Sequence, residues 1–204
     1  MNNEPNDLMP GQAVPAPDGR GNWQLTFSGR QFYPMSPLPA EVCLEDIAHA
    51  LANICRFGGH CRQFYSVAQH SILVAMQLPP ELQLQGLLHD ATEAYCGDMV
   101  QPLKLHLPEF KEIEWRIWHA IALKFGLPFE LDPRVKEADV RALMTERRDL
   151  LPASPHKWST EHIAPLPGTV LPWGPEEARQ SFNAYYLALT EPRILTGVNG
   201  QKRN

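Results

Sequence analysis

Two adjacent side chains of metal-binding type, His89 and Asp90, lie near the end of a stretch with helical periodicity. At 3.6 residues per turn they point about 100° apart, so one ion at the helix edge can reach both. Glu93 follows one turn later on the same face, where it can contact water at the ion without being a ligand. His70 upstream and Asp139 downstream supply two further candidate ligands.

Asp139 is the more informative of these outer two residues. It shares a helical stripe with Val135, Ala142 and Leu143, which should face the core. An unpaired carboxylate there would be strongly destabilising or would take up a proton, and a bound metal ion removes the problem. The alternative is a buried ion pair between Asp139 and an arginine.

His70 is followed by Leu73 and Val74, and taken alone it is typical of a core histidine. Together with the other three candidates it is better explained as a ligand. Two imidazoles and two carboxylates suit one divalent transition metal, Zn, Mn, Fe, Co or Ni, at a site with open positions. Such an ion acidifies bound water and polarises phosphoryl oxygens, so the set predicts hydrolysis of a phosphorus or an acyl centre.

The elements that must position these residues are mainly helical. Apolar periodicity and capping residues predict helices over 44–55, 66–78, 80–97, 108–125, 132–150 and 175–189. Before them, Trp23, Leu25 and Phe27 alternate with polar residues, Ser28-Gly29 can turn, and the chain can return, which predicts a β-hairpin. Residues 151–173 contain five prolines and predict an irregular excursion. The predicted fold class is all-α, with a small N-terminal β-hairpin before a helical bundle.

Composition limits the classes of function. The 204 residues suffice for one domain, which we place at 23–190, between a disordered tail at 1–22 and a loose tail at 191–204. A net charge of −5 without a basic run argues against binding to duplex nucleic acid. No signal-peptide pattern and no apolar run of ~20 residues is present, and the four cysteines form no CxxC. We expect a cytoplasmic protein with reduced thiols and no membrane partner.

The order His70, His89-Asp90, Asp139 resembles the H…HD…D ligand pattern of the HD superfamily of metal-dependent phosphohydrolases. The resemblance covers roughly residues 24–150 and looks like the branch of bacterial 5′-deoxynucleotidases and phage dATP triphosphohydrolases. It implies an HD-domain helical bundle. The similar segments are Tyr65-Ser66-Val67-Ala68-Gln69-His70-Ser71, His89-Asp90-Ala91-Thr92-Glu93-Ala94-Tyr95-Cys96-Gly97-Asp98, Pro102-Leu103-Lys104 and Val135-Lys136-Glu137-Ala138-Asp139.

The resemblance also implies roles for single residues. Glu93 would orient or deprotonate the attacking water, and Lys104 and Arg30 would hold phosphate oxygens. Asp98 would meet the sugar hydroxyls and Pro102 would flank the base. From the residues alone, each cation could be a surface charge and Asp98 could cap a turn.

Base recognition is less well defined by the resemblance. The family usually has an aromatic residue directly after the arginine matched to Arg30, whereas this chain has Gln31 there, followed by Phe32. Both remain candidates for contacting the base. Arg56 and His60 lie in a loop that could grip the outer phosphates of a triphosphate or could be solvated.

The leading hypothesis is therefore a hydrolase of nucleotides, a dNTP triphosphohydrolase releasing deoxynucleoside and triphosphate. The alternatives are a 5′-deoxynucleotidase acting on dNMPs and a non-catalytic nucleotide-binding HD module. A second ion such as Mg could accompany the substrate phosphates. The resemblance further implies a homo-oligomer, in which Trp115, Trp118 and Trp158 could form a shared surface or could belong to the core.

Overall fold

A computed structural model describes residues 19–191, so the predictions for the two tails fall almost wholly outside the described residues. The fold is a helical bundle preceded by a two-stranded hairpin, which confirms the predicted class. Its elements are β1 (Gln24–Leu25), β2 (Gln31–Phe32), α1 (Leu44–Asn53), α2 (Val67–Ala75), α3 (Gln83–Leu88), α4 (Glu93–Cys96), α5 (Gln101–Lys104), α6 (Pro108–Phe125), α7 (Pro133–Leu150) and α8 (Pro175–Thr190).

The hairpin forms where predicted, but a different face of it is buried. Gln24 pairs with Phe32 across the antiparallel strands. The face that carries Leu25 and Phe27, the apolar residues of the predicted alternation, is mostly exposed. Phe32 is fully buried instead, and its cross-strand partner Gln24 also contacts the bundle, where its side-chain amide donates to the carbonyl of Tyr95.

The long helices begin and end at the residues that the sequence marked. Helix α6 begins at Pro108 and ends before Gly126, whose left-handed backbone (φ 67°) accounts for the glycine. Asp132 caps α7 by accepting a hydrogen bond from the backbone N–H of Arg134. Ser66 caps α2 in the same way, accepting from the N–H of Gln69.

The helix predicted over 80–97 is interrupted, and this correction bears on the site. It divides into a short 3-10 turn, then α3, a turn through 89–92, and α4. The Nδ1 atom of His89 donates to the carbonyl of Gly86 at 2.8 Å. That carbonyl is the one a continuous α-helix would offer to the N–H of Asp90. The side chain of His89 therefore competes with the helix at the point where it ends. Helix α5, which carries Lys104, was not predicted.

Helix α2 is the centre of the bundle. Eight of its nine residues are buried, and it packs against α1, α3, α7 and α8. Gly86 allows α3 to approach closely, since a Cβ there would lie 2.3 Å from Leu78 Cδ1 and 3.2 Å from Ala75 Cα. A histidine on α2 is consequently deep inside the protein.

The proline-rich excursion after α7 is fastened to the bundle by side-chain hydrogen bonds. The amide of Gln69 donates to the carbonyl of Leu171 and accepts from the N–H of Trp173. The Thr145 hydroxyl accepts from the N–H of Leu166. Both ends of the Gln69 amide are bonded to the excursion. Gln69 therefore does not return a hydrogen bond to the backbone of Ser66, as it would in a full capping box. Among the described helices, none combines the length and the apolar character needed to cross a membrane.

Candidate metal centre

Three of the four predicted ligands converge on one point. His70, His89 and Asp139 each offer a ligand atom, and these atoms lie within 4.8 Å of one another. His70 Nε2 is 3.3 Å from Asp139 Oδ1. The side chain of His70 is fully buried and that of His89 nearly so. The structure thus brings together residues from α2, the end of α3 and α7.

Asp90 completes the predicted set at one edge of the cluster. Its Oδ2 atom lies 3.2 Å from His89 Nε2 and 3.5 Å from His70 Nε2. The same oxygen is 3.7 Å from a guanidinium nitrogen of Arg56. Asp90 can therefore serve the ion directly or share its charge with Arg56.

The two imidazole Nε2 atoms are the best structural indication of a missing partner. Both are buried, and neither has a hydrogen bond with any group in the described part of the chain. Buried polar atoms in proteins nearly always have partners. A cation between the two nitrogens and the Asp139 oxygen would satisfy all three atoms. Nitrogen and carboxylate donors are those that divalent transition metals accept, so the residues fit such an ion.

Each ligand is oriented by a bond at its far side. His89 Nδ1 donates to the Gly86 carbonyl, which leaves Nε2 as the acceptor that faces the cluster. Asp139 Oδ2 accepts from Lys136 Nζ at 2.6 Å, which turns Oδ1 toward His70. The local sequence therefore fixes which atom of each side chain is free.

Glu146 belongs to the candidate site, although the sequence did not single it out. Its carboxylate is fully buried and lies 2.6 Å from His70 Nδ1. It also accepts from the hydroxyl of Tyr65 at 3.0 Å and from Nε of Arg56 at 3.1 Å. The signal in the sequence was its position seven residues after Asp139, two turns along the same face of α7.

Charges in the cluster shift the pKa values as a cation site would require. Burial and Arg56 lower the pKa of His70, but the carboxylates of Glu146 and Asp139 outweigh them and raise it to about 9. Burial alone would raise the pKa of Asp139, yet the adjacent histidines and Lys136 hold it far below its usual range. The carboxylates thus favour a positive charge between them, which a divalent ion supplies more fully than a proton.

Glu93 lies beside the cluster with the properties of a proton acceptor. It is only 7% exposed, and its buried Oε2 has no hydrogen-bond partner among residues 19–191. Burial raises its pKa well above the usual value, and the charges of Asp90 and Asp98 raise it further. A raised pKa makes an ionised carboxylate a stronger proton acceptor than an ordinary glutamate.

A cavity of about 290 Å³ opens next to Glu93. Ten residues line it, namely His89, Asp90, Thr92, Glu93, Lys104, Lys111, Glu114, Trp115, Trp118 and Leu131. Lys104 lines this cavity, and its ammonium is held by Glu114 at 2.6 Å. Lys111, Glu114, Trp115, Trp118 and Leu131 were not predicted as site residues, because nothing in α6 resembles a motif.

Two of the residues matched to base recognition do not lie in this cavity. Phe32 is 0% exposed and stacks on Tyr95 with ring centroids 3.8 Å apart, so it belongs to the core and cannot receive a base. Gln31 is exposed and accepts from the hydroxyl of Tyr33. Arg30 is also exposed and donates to the carbonyl of Ala40 at 3.3 Å. The prediction for Phe32 is corrected on this basis.

The loop expected to grip outer phosphates has a structural role at one of its residues. Arg56 is 9% exposed and is engaged by Glu146, so it is not free for a substrate. His60 is exposed and lies outside the lining of the cavity. Asp98 is partly buried, and burial raises its pKa, as does the charge of Asp90. Pro102 is exposed on the short helix α5.

Comparison with other proteins places the chain beside two bacterial relatives. It is 42% identical over 172 residues to the uncharacterized protein YfdR of Escherichia coli (strain K12), a match that covers 82% of this chain and 96% of YfdR. It is 38% identical over 126 residues to the uncharacterized protein RCAP_rcc00048 of Rhodobacter capsulatus, covering 57% of this chain and 64% of that protein. No model of a known protein family matches the sequence.

Proposed function

The chain belongs to the same family as E. coli YfdR, and we propose that it is a metal-dependent phosphohydrolase of the HD type that acts on nucleotides. The observation that carries the proposal is the convergence of His70, His89 and Asp139, with the unpartnered carboxylate of Glu93 beside them. The order of these residues in the sequence supports the same assignment through its resemblance to the HD superfamily.

The chain's own residues divide the chemistry among them. A divalent ion held by His70, His89 and Asp139 would polarise a phosphoryl oxygen and acidify water. Glu93 accepts a proton from the attacking water as the new bond between oxygen and phosphorus forms. The bond from phosphorus to the 5′ oxygen of the sugar breaks, and the leaving oxygen takes up a proton. Lys104, which lines the same cavity and is paired with Glu114, would add positive charge near the phosphate.

A monophosphate substrate is supported better than a triphosphate. The basic loop at Arg56 favoured a triphosphate at the level of sequence, but the charge of Arg56 is used by Glu146. The cavity of about 290 Å³ lies just below the usual range for ligand pockets, roughly 300–1,000 Å³. We therefore place 5′-deoxynucleotidase activity first and dNTP hydrolysis second.

The test is an assay of purified protein against deoxynucleoside monophosphates and triphosphates, each with Mn, Co or Mg. We expect release of the nucleoside, with phosphate from the monophosphates, and a higher kcat/KM on the monophosphates. Metal analysis of the purified protein should find about one tightly held transition-metal ion per chain. If none of the nucleotides releases a nucleoside, the proposal is contradicted, and a non-catalytic, metal-bearing module is favoured.

A further inference from the structure

The cavity beside the metal cluster is lined by two kinds of group. Residues 89–104 contribute candidate ligands and charges, while α6 contributes both the charged Lys111 and Glu114 and, with the segment before α7, an apolar surface. The apolar contribution comes from Trp115, Trp118 and Leu131. An active site for a simple phosphate ester has no need of such a surface, so its presence bears on what else the substrate carries.

Trp115 is the member of this set that remains open to solvent. Its side chain is 58% exposed, although tryptophan is usually well buried. His119 packs on it with ring centroids 3.7 Å apart, and Phe129 packs on His119 at 4.3 Å. The indole is thus supported on one side by tilted aromatic contacts and presents exposed surface to the cavity.

Trp118 fixes the wall behind this surface. Its ring is buried, and its Nε1 donates to the backbone carbonyl of Phe129 at 2.6 Å. The segment that carries Phe129 is thereby held against α6. The aromatic residues that support Trp115 are therefore held in position by the protein itself.

Lys111 places a positive charge on the same face of α6. It precedes Trp115 by four residues, the spacing at which helical side chains are neighbours. Lys104 is neutralised by Glu114, whereas the ammonium of Lys111 has neither an ion pair nor a hydrogen bond within residues 19–191. A flat indole beside an unpaired cation suits a ligand that joins an aromatic ring to an anion.

We infer that Trp115 is the surface on which the base of the substrate stacks, with Lys111 beside its phosphate. This inference depends on the proposed function and specifies its substrate class. Helix α6, and not the hairpin, selects nucleotides over sugar phosphates that have no base. Stacking on an aromatic side chain tolerates every base, so the surface distinguishes the presence of a base more than its identity.

The test compares two substrates in each of several variants. The substrates are dAMP and 2-deoxyribose 5-phosphate, which differ by the base. We expect Trp115→Ala to lower the ratio of the two kcat/KM values, dAMP over sugar phosphate, by about 5- to 150-fold, the range for losing one stacked base. Trp115→Phe should retain most of the ratio. Leu123→Ala, at a residue 60% exposed on the same helix and outside the cavity, is the matched control.

The outcomes separate this inference from the proposed function. An unchanged ratio in Trp115→Ala, with wild-type activity present, overturns the stacking role and leaves the phosphohydrolase intact. Wild-type protein inactive on both compounds contradicts the phosphohydrolase. In that case calorimetric titration of dAMP into Mn-loaded protein still tests the surface. Binding at least fivefold weaker in Trp115→Ala supports it, and equal affinity or no binding of dAMP to either protein overturns it.

Discussion

The Nδ1 atom of His70 lies 2.6 Å from Oε1 of Glu146, and neither side chain is reached by solvent. Because this carboxylate accepts the Nδ1 proton, the lone pair of Nε2 is directed at the ligands from α3 and α7. Tyr65 and Arg56 bind the same carboxylate and keep it ionised, since the charge of Arg56 and then of His70 lowers the Glu146 pKa against the effect of burial.

Replacing the carboxylate of Glu146 should weaken metal binding without removing a residue that contacts the ion. We expect Glu146→Gln to bind Mn or Zn about 10- to 100-fold less tightly, the usual effect of losing a group that orients a histidine ligand. Calorimetric titration of metal into the metal-free protein measures the change. Glu137→Gln, at an exposed position on the same helix, is the control and should bind as the wild type does. Equal affinity in Glu146→Gln would show that Glu146 serves only the packing of Arg56.

Metal should stabilise the folded protein through the three converging side chains. An ion present at 100 times its Kd adds about 2.7 kcal/mol to the free energy of unfolding. For a chain of this size that corresponds to a rise in Tm of roughly 5–10 °C. Scanning calorimetry with added metal and then with EDTA should show the rise and its reversal. His89→Ala and Asp139→Ala should lose the response, and an undiminished rise in either would place the ion elsewhere.

Glu93 should be required for turnover and dispensable for metal. We expect Glu93→Gln to lower kcat by about 10²- to 10⁴-fold, the range for loss of a general base, while metal content stays near one ion per chain. The Glu93 pKa is raised chiefly by burial, and the ionised form is the active one. The rate should therefore fall as the pH drops through this raised pKa, and Glu93→Gln should lack that limb of the profile. Metal loss in Glu93→Gln would identify Glu93 as a ligand instead.

The close approach of α3 to α2 should make Gly86 intolerant of a side chain. A Cβ at this position would overlap Leu78 and press on the backbone of Ala75. We expect Gly86→Ala to lower the free energy of unfolding by about 1–3 kcal/mol, as overpacking usually does. Urea denaturation measures the loss. Gly174→Ala, where a Cβ would meet no atom within 4 Å, should be nearly neutral. Similar stabilities for the two variants would contradict the close packing.

The candidate metal ligands could be recognised from the sequence because their types and order are informative before folding. A histidine or an aspartate on an apolar helical face is costly to bury unless it is paired or bound to an ion. Capping residues located the helices that carry these side chains, and helices α6 and α7 were bounded correctly for the same reason. Local sequence encodes caps and periodicity, and these suffice for long helices.

What could not be predicted depends on contacts between distant segments. Glu146 looks like any helical glutamate until His70, Tyr65 and Arg56 are brought to it from elsewhere in the chain. Phe32 was a candidate for contacting the base of the substrate. Its burial depends instead on packing against Tyr95, which lies far away in the sequence. The helix breaks after α3 where the side chain of His89 takes the carbonyl of Gly86. Apolar periodicity carries no information about such a bond.

The fastening of His70 to Glu146 also sets an order of events during folding. The two residues are 76 positions apart, and Arg56 and Glu146 are 90 apart. We expect contacts of such separation to form late, since the entropy of closing the intervening loop must be overcome first. A chain still being synthesised cannot assemble the centre until α7 has left the ribosome and docked on α2. Metal uptake during refolding should therefore follow the burial of the helices, and its rate would time the last stage of assembly.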